Sequence, residues 1–394
     1  MKNSKKLVAL LLSLSMVFAL AACGGGSTAS PSPSASQPAP TESAPAETTP
    51  AAADFSVAMI TDYGDITDQS FNQTTYEACK AYCDANGVPF NYYKPAGDST
   101  AERVAMVEAA ADEGYNVIVM PGYAFGETIT QVAEEYADVT FIALDVGEGD
   151  LGDYTLPSNV YCAVYQEELC GYMAGYAAVK LGYTHLGVLG GMAVPAVQRF
   201  GYGFVQGADA AAVEMGIADQ VVMEYAYGNQ FYGDSDITAY MDNWYQTLGV
   251  EVVFASGGGI YTSAAEAAAK VGGKLIGVDV DQSANIDTYG EGMCVTSAMK
   301  GLAETVKHML GEVVAGNFAN YGGQVETLGL VNGDDPTANY VQLPMESTQW
   351  GDGFTQDDYK ALVKAMYDGD VTVSNDISAM PATTITVNFA GNIK

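Results

Sequence analysis

Seven residues have the chemistry to hold a small molecule without reacting with it: Asp68, Asn72, Asp145, Gly258, Tyr261, Asp279 and Lys300. Carboxylates accept hydrogen bonds from hydroxyl or ring N–H groups, an amide donates and accepts, and an ammonium group donates. Asp145 and Asp279 each follow an apolar run, ending at Leu144 and Val278, where a bare carboxylate needs a partner. Capping the next helix would supply one, and so would a ligand; the residue types leave both open. Asp68 and Asn72 sit in the polar stretch Thr61–Asn72. There Ser70 with Gln73 three residues on forms a capping-box pattern, which favours a structural role for Ser70 over ligand contact. Gly258 is central in Gly257-Gly-Gly259, where backbone N–H groups can approach a bound molecule and positive φ is free. Lys300 stands at the start of a helical stretch.

Covalent chemistry has little support. The chain contains no GxSxG, Walker A or HExxH pattern. One formal GxGxxG, Gly147–Gly152, follows a strand, but Asp153-Tyr-Thr-Leu-Pro157 does not open a helix, so it reads as a loop rather than a phosphate cradle. There are two histidines, His185 and His308, far apart, and no CxxC, so neither a zinc site nor a Cys/His nucleophile is expected. Carboxylate pairs are unavoidable with 48 acids and carry little weight as a glycosidase signal. The expectation is a binding protein without cofactor or metal, not an enzyme.

The elements that must position these residues alternate. Apolar runs at 55–60, 115–120, 139–144, 159–164, 185–189, 220–225, 250–254 and 274–278 read as strands. Helical patterns at 70–85, 126–136, 167–180, 194–215, 237–248 and 262–271 lie between them. Strands with few polar residues alternating with helices predict parallel sheets covered on both faces, in two doubly wound α/β lobes. Ligands bind such sheets at the carboxyl ends of the strands, and nearly every strand here ends in glycine or a hydrogen-bonding side chain. Of the 26 tyrosines, Tyr63, Tyr123, Tyr225, Tyr227, Tyr232 and Tyr261 fall near those ends, and at most two are expected to touch a ligand face. Residues 330–344 are expected to add strands and 356–368 a short helix; the pattern does not place 371–394.

Composition sets the setting. Residues 1–22 form a basic then apolar leader, and the run from Leu7 to Leu20 is short for a spanning helix. Leu20-Ala21-Ala22-Cys23 resembles the lipobox of bacterial lipoproteins, which implies cleavage and lipidation of Cys23, placing the protein on the outer face of the cytoplasmic membrane. Residues 23–53 are rich in Gly, Ser, Pro and Ala and form a disordered tether. Of 15 basic residues, Lys2, Lys5 and Lys6 lie in the leader, leaving 12 against 48 acids, a balance of −36. That excludes nucleic acid and anionic membrane surfaces as general partners. Cys79, Cys83, Cys162, Cys170 and Cys294 are an odd set, best read as mostly buried free thiols.

Several segments together resemble the basic membrane protein family of substrate-binding lipoproteins, which serve ABC importers and include purine-nucleoside receptors. They are Ile66-Thr-Asp-Gln-Ser-Phe-Asn-Gln73, Glu167–Gly175, Gly190–Pro195 with Arg199–Phe204, Ile276–Gln282 and Thr296–Lys300, in the family's order from Val57 to Gly311. The resemblance implies a type I periplasmic-binding-protein-like fold, with two lobes joined by a three-strand hinge and closing on the ligand. The implied lobes are 54–162, completed by about 284–318, and 163–283, completed by about 319–394. Asn72 and Asp145 then match base contacts, and Asp279 and Lys300 match ribose contacts. The implied function is capture of a small polar ligand, a purine nucleoside first, for delivery to a permease. Thr67 and the segment Gly228–Asp234 depart from the family's pattern. Stacking would fall to Tyr63, Phe231, Tyr232 or Tyr261. A sugar or signalling ligand for a membrane sensor is the alternative, followed by an extracellular hydrolase.

Overall fold

The computed structural model describes residues 55–394, so the expected leader, Cys23 and tether lie outside the described residues. The first run of elements is β1 (Val57–Ile60), α1 (Phe71–Asn86), β2 (Phe90–Tyr93), α2 (Thr100–Asp112), β3 (Val117–Pro121), α3 (Phe125–Val132), β4 (Thr140–Leu144), α4 (Glu148–Leu151) and β5 (Val160–Tyr165). The chain then builds α5 (Glu167–Lys180), β6 (His185–Gly190), α6 (Pro195–Glu214), β7 (Val222–Tyr227), α7 (Ser235–Asp242), β8 (Val252–Ser256), α8 (Tyr261–Ala269), β9 (Lys274–Asp279), α9 (Ser283–Ile286) and β10 (Cys294–Lys300). It closes with α10 (Leu302–Val314), β11 (Gln324–Leu328), β12 (Val341–Gln342), α11 (Gln356–Tyr367) and β13 (Thr386–Asn392).

Two sheets result, ordered β11-β5-β4-β3-β1-β2 and β12-β10-β9-β8-β6-β7-β13. All pairs run parallel except β10 with β12. The central strands, such as Val-Ala-Met-Ile in β1 and Val-Ile-Val-Met-Pro in β3, are buried along their whole length, because helices cover both faces. The chain crosses between lobes three times: between Tyr165 and Glu167, between Lys300 and Leu302, and between Leu328 and Val341.

Hydrogen-bond register corrects the expected lobe boundaries. β10 pairs with β9, so residues 284–300 stay in the second lobe, and β11 pairs with β5, so 324–328 complete the first. Helix α10 packs on α1 and belongs to the first lobe. Some elements had no apolar run to announce them, β2 and α2 among them. β2 is a half-exposed edge strand, and α2 opens on a capping box between Ser99 and Glu102. The expected strands at 330–344 shrink to the two residues of β12. Residues 371–394 become an extended strap followed by β13 at the sheet edge.

Helices α5 and α6 approach unusually closely. An added Cβ on Gly171 or Gly175 would lie 2.2 or 2.1 Å from the carbonyl oxygen of Phe200 or Phe204. Gly203 and Gly207 meet the carbonyls of Glu168 and Tyr172 at 2.2 and 2.0 Å in the same way. Glycines four apart on both helices therefore let backbone touch backbone, and this sets the start of α5 beside the second and third turns of α6.

Candidate functional site

A cleft of about 1200 Å³ lies where the carboxyl ends of both sheets face each other. All seven residues singled out in the sequence line it. The loop after β1 supplies the first wall. Asp68 Oδ1 accepts the N–H groups of Ser70 and Gln73, both at 3.0 Å, and Oδ2 accepts the Asn72 N–H at 2.9 Å and its Nδ2 at 3.2 Å. Asp68 is thus the cap of α1, and its acceptor capacity is spent on the protein. The expected Ser70 capping box does not form. A carboxylate is the stronger acceptor for those N–H groups, which releases the Ser70 hydroxyl to donate to Asp279 Oδ2 at 2.5 Å, in the other lobe.

Asp145 and Asp279 both adopt left-handed backbone, φ 60° and 67°. Such conformations cost a non-glycine residue of order 1 kcal/mol or more and persist where surroundings impose them. Neither caps a helix: the caps of α4 and α9 are Gly147 and Gln282. Both turn instead toward Lys300, which ends β10 rather than starting a helix. Lys300 Nζ donates to Asp145 Oδ2 at 2.6 Å and Glu167 Oε1 at 3.4 Å, with Asp279 Oδ1 at 3.7 Å. It lies 4.8 Å from the Phe71 ring centre and 5.5 Å from that of Phe200. Burial alone would push the Lys300 pKa down, but the carboxylates of Asp145, Asp279 and Glu167 outweigh it and hold the ammonium well above its ordinary range. Burial raises Asp145, with Lys300 pulling the other way. Asp145 Oδ1 and Asn72 Oδ1 are buried without a partner among the described residues, two acceptors at the cleft wall.

Sequence reasoning missed several neighbours. Glu167 is fully buried and its Oε2 takes a hydrogen bond from Arg199 Nε at 2.6 Å, a pair made possible by the close α5–α6 approach. Asp62 Oδ1 accepts the N–H groups of Tyr63 and Gly64 at 2.7 and 2.8 Å, and burial raises its pKa. It directly follows Thr61 at the end of β1, so the strand-end rule applied to Asp145 would have found it. Phe71 and Phe200 also line the cleft, beside Phe231, which was among the expected stacking rings. Of the six tyrosines considered, Tyr225 and Tyr227 are core residues, while Tyr63, Tyr123, Tyr232 and Tyr261 line the cleft. The glycine segment 147–152 forms the single turn α4, with the Gly147 N–H bound to Asp150 Oδ2 at 2.9 Å, and is not the expected loop.

The lobes also bind each other across the cleft. Gln69, itself at φ 55°, accepts the Tyr261 hydroxyl on Oε1 at 2.5 Å and Gln282 Nε2 on its carbonyl at 3.1 Å. Tyr63 and Phe231 rings pack 6.5 Å apart beside these bonds. Gly258, at φ 54°, turns the chain beneath Phe231. The described cysteines are all buried and unpaired.

The sequence pattern of the family described as "ABC transporter substrate-binding protein PnrA-like" matches residues 55–334. The chain belongs to this family. Among curated relatives, the ABC transporter nucleoside-binding protein BmpA of Lactococcus lactis is 25% identical over 298 residues, covering 71% of this chain and 80% of its own. Basic membrane protein B of Borreliella burgdorferi is 26% identical over 293 residues, covering 70% and 79%. Solute-binding proteins of ABC transporter systems from Aeropyrum pernix and Conexibacter woesei superpose with a TM-score of 0.63 each, at 22% and 23% identity, covering 82% of this chain and 88% and 99% of theirs. The fold is accordingly that of the two-lobed periplasmic binding proteins, and the chain is a substrate-binding protein of the ABC-transporter type.

Glu168, next to the Glu167–Arg199 pair, supplies a pH test. Burial first, and Glu167 second, raise its pKa to about 7, and its Oε2 has no partner among the described residues. The folded state keeps this proton where the unfolded chain has lost it, so stability is full below about pH 4.5 and falls as pH rises to about 7. Glu168→Gln is expected to gain on the order of 2–3 kcal/mol at pH 8 and nothing at pH 4. Urea unfolding at the two pH values checks it; an equal effect at both would contradict the assignment.

Proposed function

We propose that this protein captures a purine nucleoside between its lobes, catalyses no reaction on it, and presents it to a membrane permease, held at the membrane by a lipid on Cys23. The observation that carries the reading is the pairing of Asp145 and Asp279 around a buried Lys300, with aromatic rings at the same cleft. Vicinal hydroxyls can donate to Asp279 while Lys300 donates to a hydroxyl oxygen, and the spare acceptors on Asp145 and Asn72 suit ring N–H or amino groups. Phe71, Tyr63 and Phe231 offer faces for a flat base. Seven acids line the cleft, Asp62, Asp65, Asp68, Asp145, Glu148, Asp150 and Asp279, against Lys94, Arg199 and Lys300, a balance that favours a ligand without phosphate. The nucleoside-binding relative from Lactococcus lactis supports the same ligand class.

The test is a thermal-shift screen against nucleosides, free bases and sugars. A ligand at 100 times its Kd stabilises the native state by about 2.7 kcal/mol. Purine nucleosides are expected to raise the Tm, and Asp279→Asn to remove that rise. A shift with a sugar and with no nucleoside would replace the ligand and keep the fold.

A further inference from the structure

The strap between α11 and β13 lies beyond residue 334, where the family match ends. It is fastened along α6. The Gln206 side chain brackets Ser374, its Nε2 donating to the Ser374 carbonyl and its Oε1 accepting the Ser374 N–H, both at 2.9 Å. Farther on, Asp209 Oδ1 accepts the N–H groups of Thr384 and Ile385 at 2.6 and 2.9 Å. Ile377 and Met380 pack on the core between these points, and Val371 and Val373 do so just before the first. A chain without regular hydrogen bonding is thus pinned at both ends, and the residues just past the first pin, Asn375 and Ile377, line the ligand cleft.

We infer that Asn375 and Ile377 form an additional wall of the ligand site, built by neither sheet, and help decide which ligands fit. This inference rests on the ligand-capture reading above but not on the ligand being a nucleoside. At about 1200 Å³ the cleft exceeds the roughly 300–1,000 Å³ usual for a small-molecule site, so a wall here is placed to limit occupant size. One amide and one branched apolar side chain carry no charge, and suit a neutral part of a ligand rather than an ionised one.

The native thiols allow a direct test. All five described cysteines are buried, and burial raises the thiol pKa of each, so they react poorly with alkylating agents. In the full chain carrying Cys23→Ser, Asn375→Cys and, separately, Thr372→Cys would be alkylated with iodoacetamide, alone and with inosine, adenosine, ribose or galactose. Thr372 is exposed on the same strap and does not line the cleft. Whichever probe raises the Tm is expected to slow alkylation at position 375 by about tenfold while leaving position 372 unchanged. A probe that stabilises the protein with no protection at 375, or with equal protection at both positions, overturns the wall. If ribose or galactose stabilises and protects while neither nucleoside does, the nucleoside reading fails and the wall stands. As a second readout, Ile377→Trp should change the ratio of affinities for inosine and adenosine, or ribose and galactose, by at least about tenfold. An unchanged ratio counts against a role in selection.

Discussion

Lys300→Met is expected to abolish ligand binding and to cost about 3–5 kcal/mol of folding stability. The side chain is 2% exposed and faces Asp145, Glu167 and Asp279. Methionine fills a similar volume but cancels no charge, so at neutral pH three carboxylates are left with Arg199 as the nearest cation. Some must take up protons or draw in water, and the protein is expected to become more stable as pH falls, reversing part of the loss. The double variant Lys300→Met/Asp145→Asn removes one of the orphaned charges and should recover stability without recovering binding. Urea unfolding gives the first quantity and the inosine-induced Tm shift the second. If the single variant kept wild-type stability, the cluster would not be the electrostatic unit described above.

The second large effect concerns glycine. Gly207→Ala should destabilise by about 3 kcal/mol, at the upper end of ordinary overpacking costs, because the new Cβ meets the Tyr172 backbone carbonyl at 2.0 Å. Neither helix can yield without moving the other, so the pair between Glu167 at the start of α5 and Arg199 in α6 should be disturbed and binding weakened with it. Gly311→Ala, in α10 where nothing lies within 4 Å of the added carbon, should instead stabilise by about 0.5–1 kcal/mol through helix propensity alone. The same substitution in two helices thus carries opposite signs. Thermal melts of both variants settle it, and two losses of equal size would mean that helix contact is not the reason.

The central strands were legible because burial on both faces leaves them little but apolar side chains. Strands at the edges were not. β2, β11 and β13 pair on one side only and carry Asn91, Glu326 and Asn388 toward solvent, so nothing in their composition marks them. β10 hid for another reason: its Thr296 and Ser297 are buried but polar, with Thr296 bonded to Thr348 and Ser297 to Gln282. At the site, Asp145 and Asp279 could be picked out by their positions at strand ends, and Lys300 as a rare cation, though at the expected start of a helix rather than the end of β10. Their convergence could not, since it depends on where separate crossovers return. Ser70 shows the limit of local patterns: its capping box was sound as a motif, yet Asp68 two residues earlier offered a stronger acceptor. Glu167 and Arg199 escaped notice because only the glycine contacts between their helices make them neighbours.

The three lobe crossings have a consequence for how the molecule is made. The outer edge of β5 is completed by Gln324–Leu328, and every residue of β6 through β10 lies between the two in the chain. A ribosome delivers the amino-terminal part first, so during synthesis the first sheet waits, one edge unpaired, until the second has been almost fully translated. An open edge beside a buried apolar strand is a template for wrong pairing. A nonsense mutation upstream of Gln324 would therefore injure the half of the protein already finished, and a fragment ending at Tyr165 would leave the ribosome with that edge still open.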